Sequence, residues 1–254
     1  MTKIMINRFI TTLTLVIASL AMTSCQETQP EFTFDNYYQE FDAKQPFSIR
    51  YQYVRLTNAQ RGSILEKIEM ANRMAFFSFE EGETIPRSVE DCIDSSVERF
   101  RKEYNCDEES VGHTIYELTK SAQIEIYDRT LSYRIKCYQY TGGAHGMNWE
   151  RAMNYSLDDG KLLTLDDFFS AEQQEKLPSI LVRLLCSQRG IDFNNKAALE
   201  QMGYYIDAIV PTNNFAVTSQ GIEFLYDPYE IGIYALGRTV IKLPYGLINE
   251  LFEL

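Results

Sequence analysis

Between residues 47 and 56 the chain reads FSIRYQYVRL, alternating apolar and polar positions in a segment rich in aromatic and β-branched types. That period of two predicts a strand over Phe47–Leu56. The period then lengthens. In TNAQRGSILEKIEMANRMAFFSF, Ile64, Leu65, Ile68 and Met70 or Ala71 recur at helical spacing, with Asn58 as the expected cap. EGETIP interrupts. RSVEDCIDSSVERFRKEYN follows as a second amphipathic helix, with Val89, Ile93, Val97 and Phe100 on one stripe and its charges on a solvated face.

Strand patterning returns in HTIYELTKSAQIEIYD and LSYRIKCYQYT, which flank DRT as a tight turn. Leu131, Tyr133, Ile135 and Cys137 share one face of the second strand, and Arg134 and Lys136 share the other. NWERAMNYSL reads as a third strand, closed by a turn at DDGK. From residue 163 the period is helical again, with Thr164 and Ser170 as caps, an apolar stripe of Ile180, Leu181, Leu184 and Leu185, and Gly190 as the stop. NNKAALEQMGYYI supplies a further short helix. Strands close the chain in FAVTSQGIEFLYDPYEIGIYALGRTVIKLPYGLI, broken by turns at SQG and DPYEIG. The order predicts an α+β fold: an N-terminal strand and helices, an antiparallel sheet with a glycine-loop hairpin, a helical insertion and C-terminal strands.

The first residues change the picture of where the chain works. Lys3 and Arg8 precede the apolar run FITTLTLVIASLAM, which ends in MTSC. Residues 1–24 therefore read as a lipoprotein signal peptide, with Cys25 as the lipidation site, although Met22 stands where Leu or Val is usual. Acyl chains at about 0.8 kcal/mol per buried CH2 would hold such a protein on a membrane. Residues 25–45 read as a lipidated tether that becomes ordered near its end, and 46–254 as the folded module, in halves of 46–127 and 128–254. Cleavage before Cys25 removes two basic and no acidic residues, moving the formal charge from −12 to −14. That acidity argues against nucleic acid as a partner and suits a basic one. Cys92, Cys106, Cys137 and Cys186 remain; they allow three disulfide pairings or four buried thiols. With no CxxC and two histidines, neither metal nor cofactor is expected.

The segment YQYTGGAHGMNWE holds Gly142, Gly143 and His145 between two strands. It lacks the spacing of a phosphate loop, and glycine is what a tight connection needs. As catalysis, His145 would need a partner such as Ser156 or Cys137, which the spacing does not demand. Asp158, Asp159, Asp166 and Asp167 are expected as turn and helix-start carboxylates. Tyr138, Tyr140, Trp149, Tyr155, Tyr226, Tyr229 and Tyr234 cluster around turns, a supply that suits a recognition surface.

Three segments together resemble a known family: YQYTGGAHGMNWERAMNYSLDDGKLLTLDDFF, the C-terminal FAVTSQGIEFLYDPYEIGIYALGRTVIKLPYGLI and, more weakly, FSIRYQYVRL with its helix. They look like the exported domain of RsiV-type anti-sigma factors, which also occurs beside the catalytic domain of PdaC-type deacetylases. The resemblance implies an α+β exported domain that in the RsiV branch binds lysozyme. Sigma-factor binding and deacetylation are not carried over, because this sequence shows neither the sigma-binding segment nor the deacetylase metal motifs. The reading is a non-enzymatic, Bacteroidetes-type cell-envelope lipoprotein, facing the periplasm or on the outer-membrane surface. It would bind lysozyme or cell-wall glycan, with Gly142, Gly143, His145, Trp149, Tyr229 and Tyr234 as binding residues. Two alternatives stand beside it: an envelope hydrolase acting through His145, and a structural scaffold.

Overall fold

A computed structural model describes residues 29–40, 47–104 and 116–252. Cys25, the signal segment, Cys106 and His113 lie outside the described residues. The fold is α+β, with helices between strands. One sheet is mixed and six-stranded, in the order β1 (Phe32–Gln39), β2 (Phe47–Leu56), β3 (Tyr116–Tyr127), β4 (Thr130–Tyr140), β5 (Met147–Ser156) and β6 (Leu162–Leu163). The other sheet is antiparallel: β7 (Phe215–Thr218), β8 (Gly221–Tyr226) and β9 (Thr239–Pro244). Among the described residues, no helix is long and apolar enough to cross a membrane.

The chain divides into two compact units. The first comprises Met1–Ala122 and Tyr138–Gly146, the second Gln123–Cys137 and Met147–Leu254. The boundary thus falls five residues before the expected one at 127/128, and the glycine loop goes with the first unit.

In the first unit, β2 has the expected bounds, and its alternation buries Phe47, Ile49, Tyr51 and Tyr53. It pairs in parallel with β3, from Phe47↔Tyr116 to Gln52↔Ser121. A parallel pair needs a long crossover. Helices α1 (Ile64–Phe76) and α2 (Val89–Glu103) provide it. Ser63, not Asn58, caps α1, its side chain accepting from the Glu66 amide. Asn58 instead holds the approach to β1, accepting from the Glu31 amide at 3.0 Å and donating to the Gln29 carbonyl at 2.7 Å. The stripe of α2 is Val89, Cys92, Ile93, Ser96 and Phe100; Val97 is only half-buried.

Within the expected tether of 25–45, residues Phe32–Gln39 are instead strand β1, which pairs antiparallel with β2 from Phe32↔Leu56 to Gln39↔Ile49. An edge strand takes its hydrogen bonds from one neighbour and tolerates a polar sequence. Asp35 reinforces this one by accepting from Arg55 Nε at 2.7 Å.

Glu69 of α1 anchors this unit. Its buried carboxylate accepts from the Tyr53 hydroxyl at 2.7 Å, the Leu56 amide at 2.9 Å and Arg73 at 3.1 Å. Burial raises its pKa, and the three donors offset only part of that. Tyr51, Tyr53, Phe76 and Phe77 pack ring against ring beside it, with centroids 5.0 to 5.9 Å apart. Lys120 donates to the carbonyl of Phe76 at 3.1 Å, placing a cation at the C-terminal end of α1 where the helix dipole favours it.

In the second unit, α3 (Ala171–Gln188) starts at a Ser170 capping box, as expected. Thr164 likewise caps a short 3-10 turn, Leu165–Asp167. Helix α3 buries Leu177, Leu181, Val182, Leu185 and Cys186 in one core with Phe215, Phe224, Ile241 and Leu243 of the three-stranded sheet. Ile180 and Leu184 flank that core, half-buried. The short helix expected after it is α4 (Ala197–Gln201). The SQG turn requires glycine: Gly221 has φ +147°, and a Cβ there would sit 2.2 Å from the Leu243 carbonyl oxygen. The edge strand β7 is closed by side chains. Asn154 Nδ2 donates to the Phe215 carbonyl at 2.7 Å, and the Val217 amide donates to Asn154 Oδ1 and Ser132 Oγ at 3.0 and 3.1 Å. The chain then turns directly into α5 (Tyr245–Phe252), where Tyr127 and Tyr245 stack at 4.9 Å.

Cys92 and Cys186 are buried free thiols, and Cys137 is buried too. Burial pushes the Cys92 thiol up to about 11, which disfavours the reactive thiolate.

Replacing Glu69 by Ala removes at once the carboxylate that Arg73, the Tyr53 hydroxyl and the Leu56 amide share. The expected loss is about 3 kcal/mol of unfolding free energy, measurable by urea denaturation. A loss below about 0.5 kcal/mol, the scale of an ordinary surface change, would contradict this role.

Candidate functional site

The expected site residues fall in both units. Gly142 and Gly143 adopt φ +95° and +93°. Gly146 is buried under Tyr138; a Cβ there would lie 2.5 Å from the ring. The Tyr140 hydroxyl donates to the Gly143 carbonyl at 3.0 Å. These glycines are needed for a connection between β4 and β5, whatever else the loop does. His145 is exposed, with Nδ1 3.2 Å from the Gly146 carbonyl oxygen.

Both groups considered as partners for His145 belong to the second unit. Cys137 is buried there, and Ser156 Oγ accepts from the Asp158 amide at 3.2 Å. The four aspartates do structural work. Asp158 pairs with Arg129 at 2.8 Å, Asp159 accepts from the Lys161 amide, Asp166 from Gln174, and Asp167 closes the Thr164 capping box. Among the described residues, no group of three or more His, Cys, Asp or Glu side chains is placed to hold a metal ion.

The aromatic residues divide by burial. Tyr155 and Tyr226 are buried, the Tyr226 hydroxyl donating to the Val210 carbonyl at 2.7 Å. Trp149 and Tyr234 are half-buried, and Tyr229 is 53% exposed. Tyr229 and Tyr234 pair ring to ring at 5.4 Å. Tyr229 holds φ +74°, in the left-handed region that a bulky side chain rarely enters.

Asp227 fixes that turn. Its carboxylate accepts from the Glu150 amide at 2.8 Å and pairs with Arg151, whose guanidinium lies 5.7 Å from the Trp149 ring centroid. Its own amide donates to the Glu230 carboxylate at 2.7 Å, and the Glu230 amide returns to its carbonyl at 3.1 Å. Burial raises the pKa of Asp227 against the opposing pull of Arg151.

Behind this turn lies a charge network absent from the sequence expectation. The Glu150 carboxylate is 3% exposed and pairs with Arg134 at 2.7 Å and with Arg238. Arg134 also reaches Glu223 at 2.6 Å, and Lys242 reaches Glu223 at 3.1 Å. Burial alone would raise the pKa of Glu223, but hydrogen bonds from Lys242 and Arg134 outweigh it and hold the carboxyl below its usual range. Glu223 therefore contributes stability above the ordinary glutamate pKa, and loses it as pH falls through its depressed value. The signal in the sequence was the pairing of Arg134 and Lys136 on one face of a strand whose other face is apolar.

Residues 166–246 match the model of a family described as a protein of unknown function, DUF3298, and residues 41–148 match the model described as Deacetylase PdaC. Among relatives, the peptidoglycan-N-acetylmuramic acid deacetylase PdaC of Bacillus subtilis is 24% identical over 163 residues, covering 63% of this chain and 34% of that protein. Immunogenic protein MPT64 of Mycobacterium tuberculosis is 27% identical over 122 residues, 46% of this chain and 50% of that one. The chain thus spans 34% to 50% of the length of the curated relatives it matches. A crystal structure of a DUF3298 family member from Bacteroides fragilis superposes with a TM-score of 0.75 at 27% identity, covering 87% of this chain and 92% of the other. One from Pseudomonas aeruginosa shares the fold at a TM-score of 0.63 and 16% identity, covering 88% and 94%.

The strained tyrosine is directly testable. A glycine at position 229 loses the aromatic pair but escapes the left-handed penalty, whereas alanine loses both the pair and the relief. Tyr229→Gly is therefore expected to be more stable than Tyr229→Ala by roughly 1 kcal/mol in parallel thermal and urea unfolding. Equal stabilities would mean that the turn carries no strain.

Proposed function

We propose that this chain is a non-enzymatic cell-envelope protein, anchored by lipid at Cys25, that binds a partner through the Trp149–Tyr229–Tyr234 surface of its second unit. One observation carries the reading. Tyr229 is exposed and in a strained backbone conformation, in a turn that hydrogen bonds of Asp227 and Glu230 close on either side of it. Strain of this kind persists only where surrounding structure enforces it, and it gathers at sites that bind. Rigid, half-exposed tyrosines and tryptophan supply contact area at low entropic cost, as hot spots of interfaces do.

Similarity to PdaC, named for a peptidoglycan substrate, supports an envelope setting. Lysozyme is the specific partner proposed. It is a basic protein in many of its forms, and this chain has a formal charge of −12, so long-range attraction would speed encounter. The glycine loop with His145 then serves as a shaped connection in the first unit.

Calorimetric titration of the purified chain against lysozyme at physiological salt tests the proposal. Saturable binding is expected, weakened about tenfold or more by Trp149→Ala and by Tyr229→Gly. Absence of heat at high micromolar concentration would remove lysozyme as the partner. Equal binding by both variants would move the surface elsewhere.

A further inference from the structure

We infer that the second unit carries an oxyanion-binding site, for a carboxylate or phosphate group, between Lys136 of β4 and Arg238 at the entry to β9. The site does not depend on the aromatic surface or its partner. Four cations gather here: Arg134, Lys136, Arg238 and Lys242. Two carboxylates face them, and both are already committed. Glu150 takes Arg134 and Arg238, while Glu223 takes Arg134 and Lys242.

That leaves an excess of about two positive charges in a chain whose formal charge is −12. Lys136 lies two residues from Arg134 and so on the same face of β4. It is half-buried, and among the described residues it feels the Glu223 carboxylate without a direct ion pair to it. Arg238 gives one nitrogen to Glu150 and has its remaining guanidinium donors unclaimed, with its side chain 32% exposed.

The two cations are also only partly compensated by the carboxylates beside them. Burial is the leading cause that lowers the pKa of each, and the neighbouring Arg134 guanidinium adds to both; Arg238 lowers Lys136 further, and Glu223 opposes these only in part. An oxyanion between them would replace lost hydration with charge-assisted hydrogen bonds. A guanidinium fork and an ammonium are the donors such a group takes best. The buried Glu150 and the half-buried Glu223 hold Arg134, Arg238 and Lys242 in place.

The probes are inorganic phosphate and citrate, titrated into the full chain at constant ionic strength set with sodium chloride. Binding is followed by calorimetry and by the chemical shift of the Lys136 side chain. Lys136→Gln leaves both carboxylates paired and should fold. Arg238→Lys, which keeps the charge on Glu150 but removes the fork, is the second variant if it does not. Lys176→Gln on α3 is the control. Saturable binding of at least one probe is expected, weakened about tenfold or more by Lys136→Gln and by Arg238→Lys and unchanged by Lys176→Gln. Phosphate alone would assign a phosphoryl ligand, citrate alone a carboxylate, and both the shared chemistry. Saturation by neither probe, or equal affinity in wild type and both site variants, would overturn the site.

Discussion

A single carboxylate, Glu150, organises the second unit. It is almost wholly removed from water, and an ionised carboxylate in that position is tolerable only with partners. It has two, Arg134 from its neighbouring strand β4 and Arg238 from the approach to β9. Its backbone extends the same role. The Glu150 amide donates to Asp227, and its carbonyl accepts from Asn214 at 2.7 Å. Strands β4 and β5, the approach to β9, the loop before β7 and the tyrosine turn therefore meet at one residue. Such pairs add little net stability over a well-packed apolar substitute, but removing one partner costs about 3–5 kcal/mol. Their effect is to fix register: a slip of one residue in β5 would turn Glu150 away from both arginines and bury Trp149 or Arg151 in its place.

What the sequence made legible was local. Alternation marked β2 to its last residue, helical spacing marked α1, α2 and α3, and Thr164 and Ser170 announced their caps. Elements with weak local pattern were missed. FTFDNYYQ carries Asp35 and Asn36 at its centre and reads as a tether; it becomes β1 because an edge strand needs only one neighbour and few apolar contacts. YGLINELF is short, contains glycine and follows a strand without a break, so α5 left no period to detect. The parallel pairing of β2 with β3 spans two helices and cannot be read from either strand alone.

The site was legible in the same uneven way. Tyr229 and Tyr234 stood out as turn aromatics, and they form a ring pair. Glu150 did not, because its burial depends on Arg238, far along the chain, and periodicity carries no information about partners at that range. Asn58 shows the reverse error: a residue type suited to a cap was spent on the start of β1, while Ser63, next to the first helical residue, took the role. Chemistry-bearing residue types were visible throughout; their assignments depended on long-range neighbours.

In the proposed reading the two polar systems of the second unit have separate uses. The Asp227 turn displays an aromatic surface, and the Arg134–Lys136–Arg238–Lys242 cluster presents positive charge on an otherwise acidic chain. Both rest on Glu150, and native-state hydrogen exchange of a Glu150→Gln variant tests that dependence most directly. The expected result is a joint loss of amide protection at Leu225, Glu230 and Gly237, in strand β8 and the turns that follow it. Loss confined to β5, with those three amides as protected as in wild type, would contradict it.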